Sequence, residues 1–198
     1  MKTEIRTLET VAAKGRLLGL DMVYHCASGH LGGSFSAMDI LTVLYFEVMN
    51  VDPKNPADPD RDRFVLSKGH CTPALYPILA QKGYFPEEDL ALFRSVEGHL
   101  SGHAEMNHVK GVDMSTGSLG QGISAAVGMA LAGKMDKKAY RVYTVLGDGE
   151  VEEGQVWEPS SAQPNTDWTT SARSLMSMAC RLMERQRMLC PQSRWIRN

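Results

Sequence analysis

Glycine frames most of the side chains in this chain that could do chemistry. Among them are the imidazoles of His30 in Ser28-Gly29-His30-Leu31-Gly32-Gly33, His70 in Gly69-His70, and His103 in Gly102-His103-Ala104-Glu105. Neutral imidazoles in such loops can hydrogen-bond a phosphate or exchange protons with a small substrate. His25 and His108 lack a glycine frame and read as structural or merely exposed. Thr116-Gly117-Ser118-Leu119-Gly120-Gln121-Gly122 offers several backbone N–H groups ahead of a helix, as a phosphate cradle does. It has no P-loop lysine and does not match G-x-G-x-x-G. Gly147-Asp148-Gly149 ends the apolar run Val142–Leu146. Its carboxylate either caps the next helix or faces the crevice where open α/β sheets bind ligands. Zinc competes for the histidines, but they lack short-range ligand pairs, and Asp148 suits a hard cation better. Glu150 and Glu152 read as a solvated helix start. Glu153 and Glu158, five apart, gain a role only if packed against a partner.

The elements that must hold these loops alternate. Glu4 to about Ala27 has helical spacing, with Ile5, Leu8, Val11, Ala12, Leu18, Met22 and Val23 recurring. It runs into a flexible loop at Ser28–Gly33. Ser36, with Asp39 three residues on, then caps a helix. That helix is apolar almost all round through Phe46, which places it inside. Residues 52–62, with three prolines, form a surface loop. Arg63–Ser67 is a short strand, Thr72–Lys82 a helix ended by Gly83, and Pro86-Glu87-Glu88 the start of another. Ile123–Met135 is a helix of small residues, and Val142–Leu146 a strand buried on both faces. The expected fold is α/β, a doubly wound parallel sheet with helices on both faces.

With 198 residues the chain is long enough for one domain with a sizeable core. A net charge of −2 points away from nucleic acid. No run approaches membrane-span length, and the start MKTEIRTLET lacks a signal peptide's apolar stretch. Cys26, Cys71, Cys180 and Cys190 share no metal-ligand spacing and suggest no disulfide framework, so a cytoplasmic protein is the default.

Taken together, the loops resemble the N-terminal, diphosphate-binding part of the transketolase family. SGHLGG is similar to the family's SGHxG loop, SKGH to S-x-GH, GHAE to GHPE, STGSLGQG to TGPLGQG, and LGDGE to its GDG motif. The five stand in the family's order and approximate spacing over residues 28–158. The phrase SGHLGGSFSAMDILTVLYF resembles most the transketolases split into two subunits, of which this would begin the N-terminal one. The resemblance implies thiamine diphosphate with Mg²⁺ or Ca²⁺, and transfer of a two-carbon ketol unit between sugar phosphates. It implies Asp148 as metal ligand, Gly149 beside the diphosphate, His70 at the diphosphate end, and Gly117 and Leu119 facing the cofactor. His30 and His103 would line the substrate channel, and Glu153 and Glu158 would join an acidic cluster at a subunit interface. The implied partners are a C-terminal subunit and a second copy of this chain. Cys71-Thr72, Ala104 and Ser118 depart from the family pattern without removing a proposed ligand. Two other readings stay open: another thiamine-diphosphate enzyme, such as deoxyxylulose-phosphate synthase or a dehydrogenase E1 component, and a non-catalytic remnant.

The chain changes character at Pro159. Residues 159–198 contain no glycine and no lysine, whereas the preceding part uses both. The family continues instead with LDNL, then D-x-NGLQIDG, whose Asn is a metal ligand, then SPEPLDKK. With permitted codon choices, joining the last base of each codon to the first two of the next gives all three. Among the positions forced whatever codons are used, Trp168/Thr169 gives Asp, Met178/Ala179 and Met183/Glu184 give Gly, and Trp195/Ile196 gives Asp. They fall on the Asp of LDNL, both glycines of NGLQIDG and the Asp of LDKK. The expected organisation is therefore a truncated diphosphate-side domain over 1–158 and an out-of-frame tail over 159–198. The metal-ligating Asn of the next loop is lost with the frame.

Overall fold

The computed structural model describes residues 3–161, with side chains up to residue 158. The expected tail and its shifted motifs lie outside the described residues from 162 onward. Helix α1 (Ile5–Cys26) and helix α2 (Leu31–Val43, continued by a π-type turn over Leu44–Val48) precede strand β1 (Arg63–Leu66). Helix α3 (Thr72–Lys82) follows, and helix α4 (Gln121–Met135), strand β2 (Val142–Val145) and helix α5 (Gly154–Ser161) complete the order. The strands pair in parallel with Arg63 opposite Val142 and Leu66 opposite Val145.

Alternation along the strands sorts the two faces. Phe64, Leu66, Tyr143 and Val145 join the core formed with α1, α2 and α3. Val65 and Thr144 face the other way, where α4 packs on both strands. Helices therefore cover both faces of the parallel pair, as a doubly wound α/β fold requires.

Close approach within the helical layer depends on a proline. Pro77 lies inside α3 and has no N–H to give the carbonyl of Pro73. Gly19 of α1 sits against that carbonyl, where a Cβ would collide with it. Gly83 ends α3 at φ 98°, a left-handed C-cap that favours glycine.

Several expectations are corrected. Leu31–Gly33 is no flexible loop but the first turn of α2, with His30 in the N-cap position. Ser36 lies inside that helix and donates to the carbonyl of Gly33 rather than capping. The tight fit explains this: a Cβ on Gly33 would lie 2.9 Å from the Cys71 sulfur. The segment Met38–Phe46 is not buried all round, because Met38 and Leu41 are sealed while neighbouring Val43 is 41% exposed. Leu31–Val48 is, by length and composition, one helix apolar enough to cross a bilayer, contrary to expectation. Met38, Leu41 and Tyr45 nevertheless lie in the core against α1 and α3. Ile5 is exposed, not part of the buried stripe of α1. Glu87–Leu92 forms a 3₁₀ turn instead of an α-helix.

Candidate functional site

Both strands run parallel, so their carboxyl ends open on the same side. There β1 passes through Ser67 and Lys68 into the 3₁₀ turn Gly69–Cys71, which carries His70. Burial of its backbone neighbours puts His70 at the rim of the core: Ser67, Lys68, Gly69 and Cys71 are all buried, His70 only partly. The N-terminus of α2 delivers His30 to the same place. The two rings meet edge-on, centroids 4.8 Å apart at 68°. Partial burial, then the charges of His30, Lys68 and His103, hold the His70 imidazolium below its ordinary range. His70 is thus kept neutral, able to donate from one nitrogen and accept at the other.

His103 arrives from the loop before α4. The carbonyl of His103 accepts from the hydroxyls of Tyr76 and Ser101. Its ring lies against Gly117, where an added Cβ would come within 3.2 Å. Both line a cavity of about 440 Å³ with Arg94, Glu105, Thr116 and Gln121. The structure therefore brings His30 to His70 and His103 to Gly117. Leu119 stays 39% exposed at the turn of the glycine-rich loop.

Asp148 and Gly149 follow β2 after Leu146 and Gly147 and are exposed. A Cβ on Gly149 would meet no atom within 4 Å, so the turn is open on that side. Glu153 packs its Cβ near Gly120, and Glu158 is exposed on α5. Among the described residues, no three His, Cys, Asp or Glu side chains gather as a metal centre. His25 and His108 are exposed, and His25 bonds only within its own helix, to Asp21.

Glu150 overturns the expectation of a solvated helix start. It is 2% exposed. Its carboxylate accepts from the Ser67 hydroxyl, from Gly120 N–H at 2.9 Å and from Gly147 N–H at 2.9 Å. One N–H of the expected phosphate cradle is thereby already occupied. Nothing in the local sequence separates Glu150 from Glu152, which is exposed.

Two cations also carry no signal in the sequence. Lys68 is buried and donates to the Gly33 carbonyl at 2.9 Å, tying the end of β1 to the first turn of α2. Arg94, in the left-handed region at φ 61°, bonds Ser28 and faces the cavity beside His103. A lysine after Leu66-Ser67 and an arginine after Phe93 stand at no spacing that would mark them out.

A family model described as "Transketolase, thiamine diphosphate binding domain" matches residues 7–167. The chain is 53% identical over 143 residues to the 6-deoxy-6-sulfo-D-fructose transketolase subunit SqwG of a Clostridium species, covering 72% of this chain and 52% of that protein. It is 43% identical over 159 residues to one subunit of the apulose-4-phosphate transketolase of Phocaeicola vulgatus, covering 80% and 56%. The chain thus spans about half the length of these relatives. Its backbone is similar to the transketolase of Campylobacter jejuni, with a TM-score of 0.75 at 37% identity over 81% of this chain and 26% of that one.

Proposed function

This chain belongs to the transketolase family, and from that premise we propose that it is the thiamine-diphosphate-binding part of a split transketolase. The whole enzyme would move a two-carbon ketol unit between sugar phosphates. One observation carries the reading: His30, His70, His103, Gly117 and Asp148 come from separate stretches of chain and share the carboxyl-end side of one parallel strand pair.

The residues present fit the diphosphate end of the cofactor and one ligand position of its metal. Asp148 offers a hard carboxylate oxygen on an exposed turn, the donor type Mg²⁺ or Ca²⁺ takes. Gly149 leaves open space where a diphosphate would lie, and neutral His70 can donate to phosphate oxygen. Gly117 and Leu119 would face the cofactor. Thiamine diphosphate supplies the nucleophilic carbon that accepts the two-carbon unit. His30 and His103 orient sugar hydroxyls and hold or release a proton at substrate oxygen. Arg94, beside His103, supplies positive charge for the anionic end of a sugar phosphate. Glu153 and Glu158 would meet a second copy, and the C-terminal subunit would complete the site.

The frame slip near codon 159 belongs to this reading. The family match ends at residue 167, leaving the rest of the chain outside it. With one metal-ligating side chain lost, the 198-residue chain is expected to bind thiamine diphosphate–Mg²⁺ poorly or not at all. Calorimetry tests both parts. The chain as translated should show no micromolar, metal-dependent binding, and a gene with the frame restored at codon 159 should produce it. Micromolar binding by the unrepaired chain refutes the slip as the cause of a broken site. No binding after repair, with the C-terminal subunit supplied, refutes the cofactor assignment. Resequencing codons 150–170 separates a sequencing error, which would return LDNL and NGLQIDG, from a genuine deletion.

A further inference from the structure

Three segments that bear on the site meet at one side chain that none of its chemistry uses. Ser67 follows β1, Gly120 ends the glycine-rich loop at the N-cap of α4, and Gly147 opens the turn that carries Asp148. Each gives a hydrogen to Glu150. A carboxylate accepts only, so all three donors are matched without conflict. The surrounding fit leaves the segments little slack. A Cβ on Gly122 would lie 2.6 Å from the Ser67 Cα, and one on Gly69 would strike the Thr116 carbonyl. Gly120, at φ 82°, holds a left-handed conformation that turns its N–H toward the carboxylate.

We propose that Glu150 is a positioning residue, a buried acceptor that holds the Asp148 turn and the Thr116–Gln121 loop in fixed relation to the end of β1 before any ligand arrives. The ligand is the metal–diphosphate end of the cofactor, and that identification rests on the function proposed above. Preorganisation of this kind spares binding the ordering of two glycine-rich turns. The clip itself needs no cofactor, so it can be tested separately.

Residue-resolved amide hydrogen exchange on the 198-residue chain reads it directly. In the unaltered protein the Gly120 and Gly147 amides should be protected at least tenfold over the exposed amides of Ser118 and Leu119. Glu150→Gln has one acceptor atom where three donors converge, so its NH₂ must face a donor. There the Gly120 or Gly147 amide, or both, should exchange about tenfold faster. The Ser67 amide, which bonds the Val145 carbonyl, and the Gly83 amide, which caps α3, should keep their rates. Glu150→Asp, with the charge kept and the reach shortened, should fall between. A general loss of stability would instead speed every core amide by one factor, and that result overturns the proposal. So does an unprotected Gly120 or Gly147 in the unaltered chain, a measurement that stands even if the Gln variant fails to fold. Because no ligand is added, failure of the clip and failure of the cofactor assignment are distinguishable.

Discussion

The two ends of the β1–β2 pair are both fastened by buried carboxylates, yet they are built differently. At the amino end, Asp62 accepts from the backbone N–H of Asn50 and of Arg141 at 2.8 and 2.7 Å. Asp113 accepts from Phe64 N–H at 2.7 Å and is paired with the Arg61 guanidinium. At the carboxyl end, Glu150 has hydrogen-bond donors, and among the described residues no lysine or arginine within ion-pair distance. One end carries a counter-ion and closes on itself. The other leaves its cations, Lys68 and Arg94, aimed at loops and at a cavity. The difference separates an end whose charges are paired with each other from one whose cations are turned to a carbonyl and a cavity.

Breaking the amino end should cost most. Asp113→Ala deletes a nearly inaccessible carboxylate and strands Arg61, with an expected loss of about 3 kcal/mol, read as a fall in the denaturation midpoint. A loss under about 1 kcal/mol would erase the contrast. The alkaline limit comes next. Burial pushes the Tyr76 phenol up to about 12. Its folded value exceeds the unfolded value near 10, so the neutral ring stabilises the fold fully below pH 10. That contribution, about 2.7 kcal/mol, disappears as pH rises toward 12. Tyr76 holds the His103 carbonyl, so Tyr76→Phe should abolish this part of the alkaline decline in urea titrations. Glu150→Gln should lower stability by a smaller amount, about 1–2 kcal/mol, concentrated in the loops rather than in the strands. Asp148→Ala, on an exposed turn, should stay within about 0.5 kcal/mol of the unaltered chain. In a frame-restored protein the same change should abolish metal-dependent cofactor binding, and retained affinity would remove Asp148 from the site. The smallest effect concerns acid. His70 titrates below its ordinary value, so its contribution is present above pH 6.5 and fades as pH falls through the folded value. An NMR titration in which His70 protonates no lower than an ordinary histidine would contradict the shielding.

What the sequence revealed follows a physical line. Elements whose signal is local were legible: α3 came out at Thr72–Lys82 with its Gly83 stop, and β1 and β2 within one residue of their ends. The glycine-framed loops gather on one surface, and glycine there reflects close approach, as Gly69 and Gly117 show. Glu150 was illegible because its three donors are backbone or hydroxyl groups, two of them distant in sequence and two of them on glycines that advertise no partner. Ser36 misled for a related reason. A serine followed by an acid signals a helix start only when the preceding residues are free, and here Cys71 and Lys68 pull Gly33 into helix first.

The parallel pairing also imposes a timetable on synthesis. Asp62 waits for Arg141, 79 residues later. At a translation rate of about 5–20 residues per second, β1 leaves the ribosome roughly 4–16 s before its partner strand exists. During that interval α1, α2 and α3 can assemble from contacts within the first 82 residues, but one edge of β1 has nothing to pair with. A nascent chain of this design spends those seconds with an unsatisfied strand edge, the surface that molecular chaperones shield and that promotes association between chains on the same message.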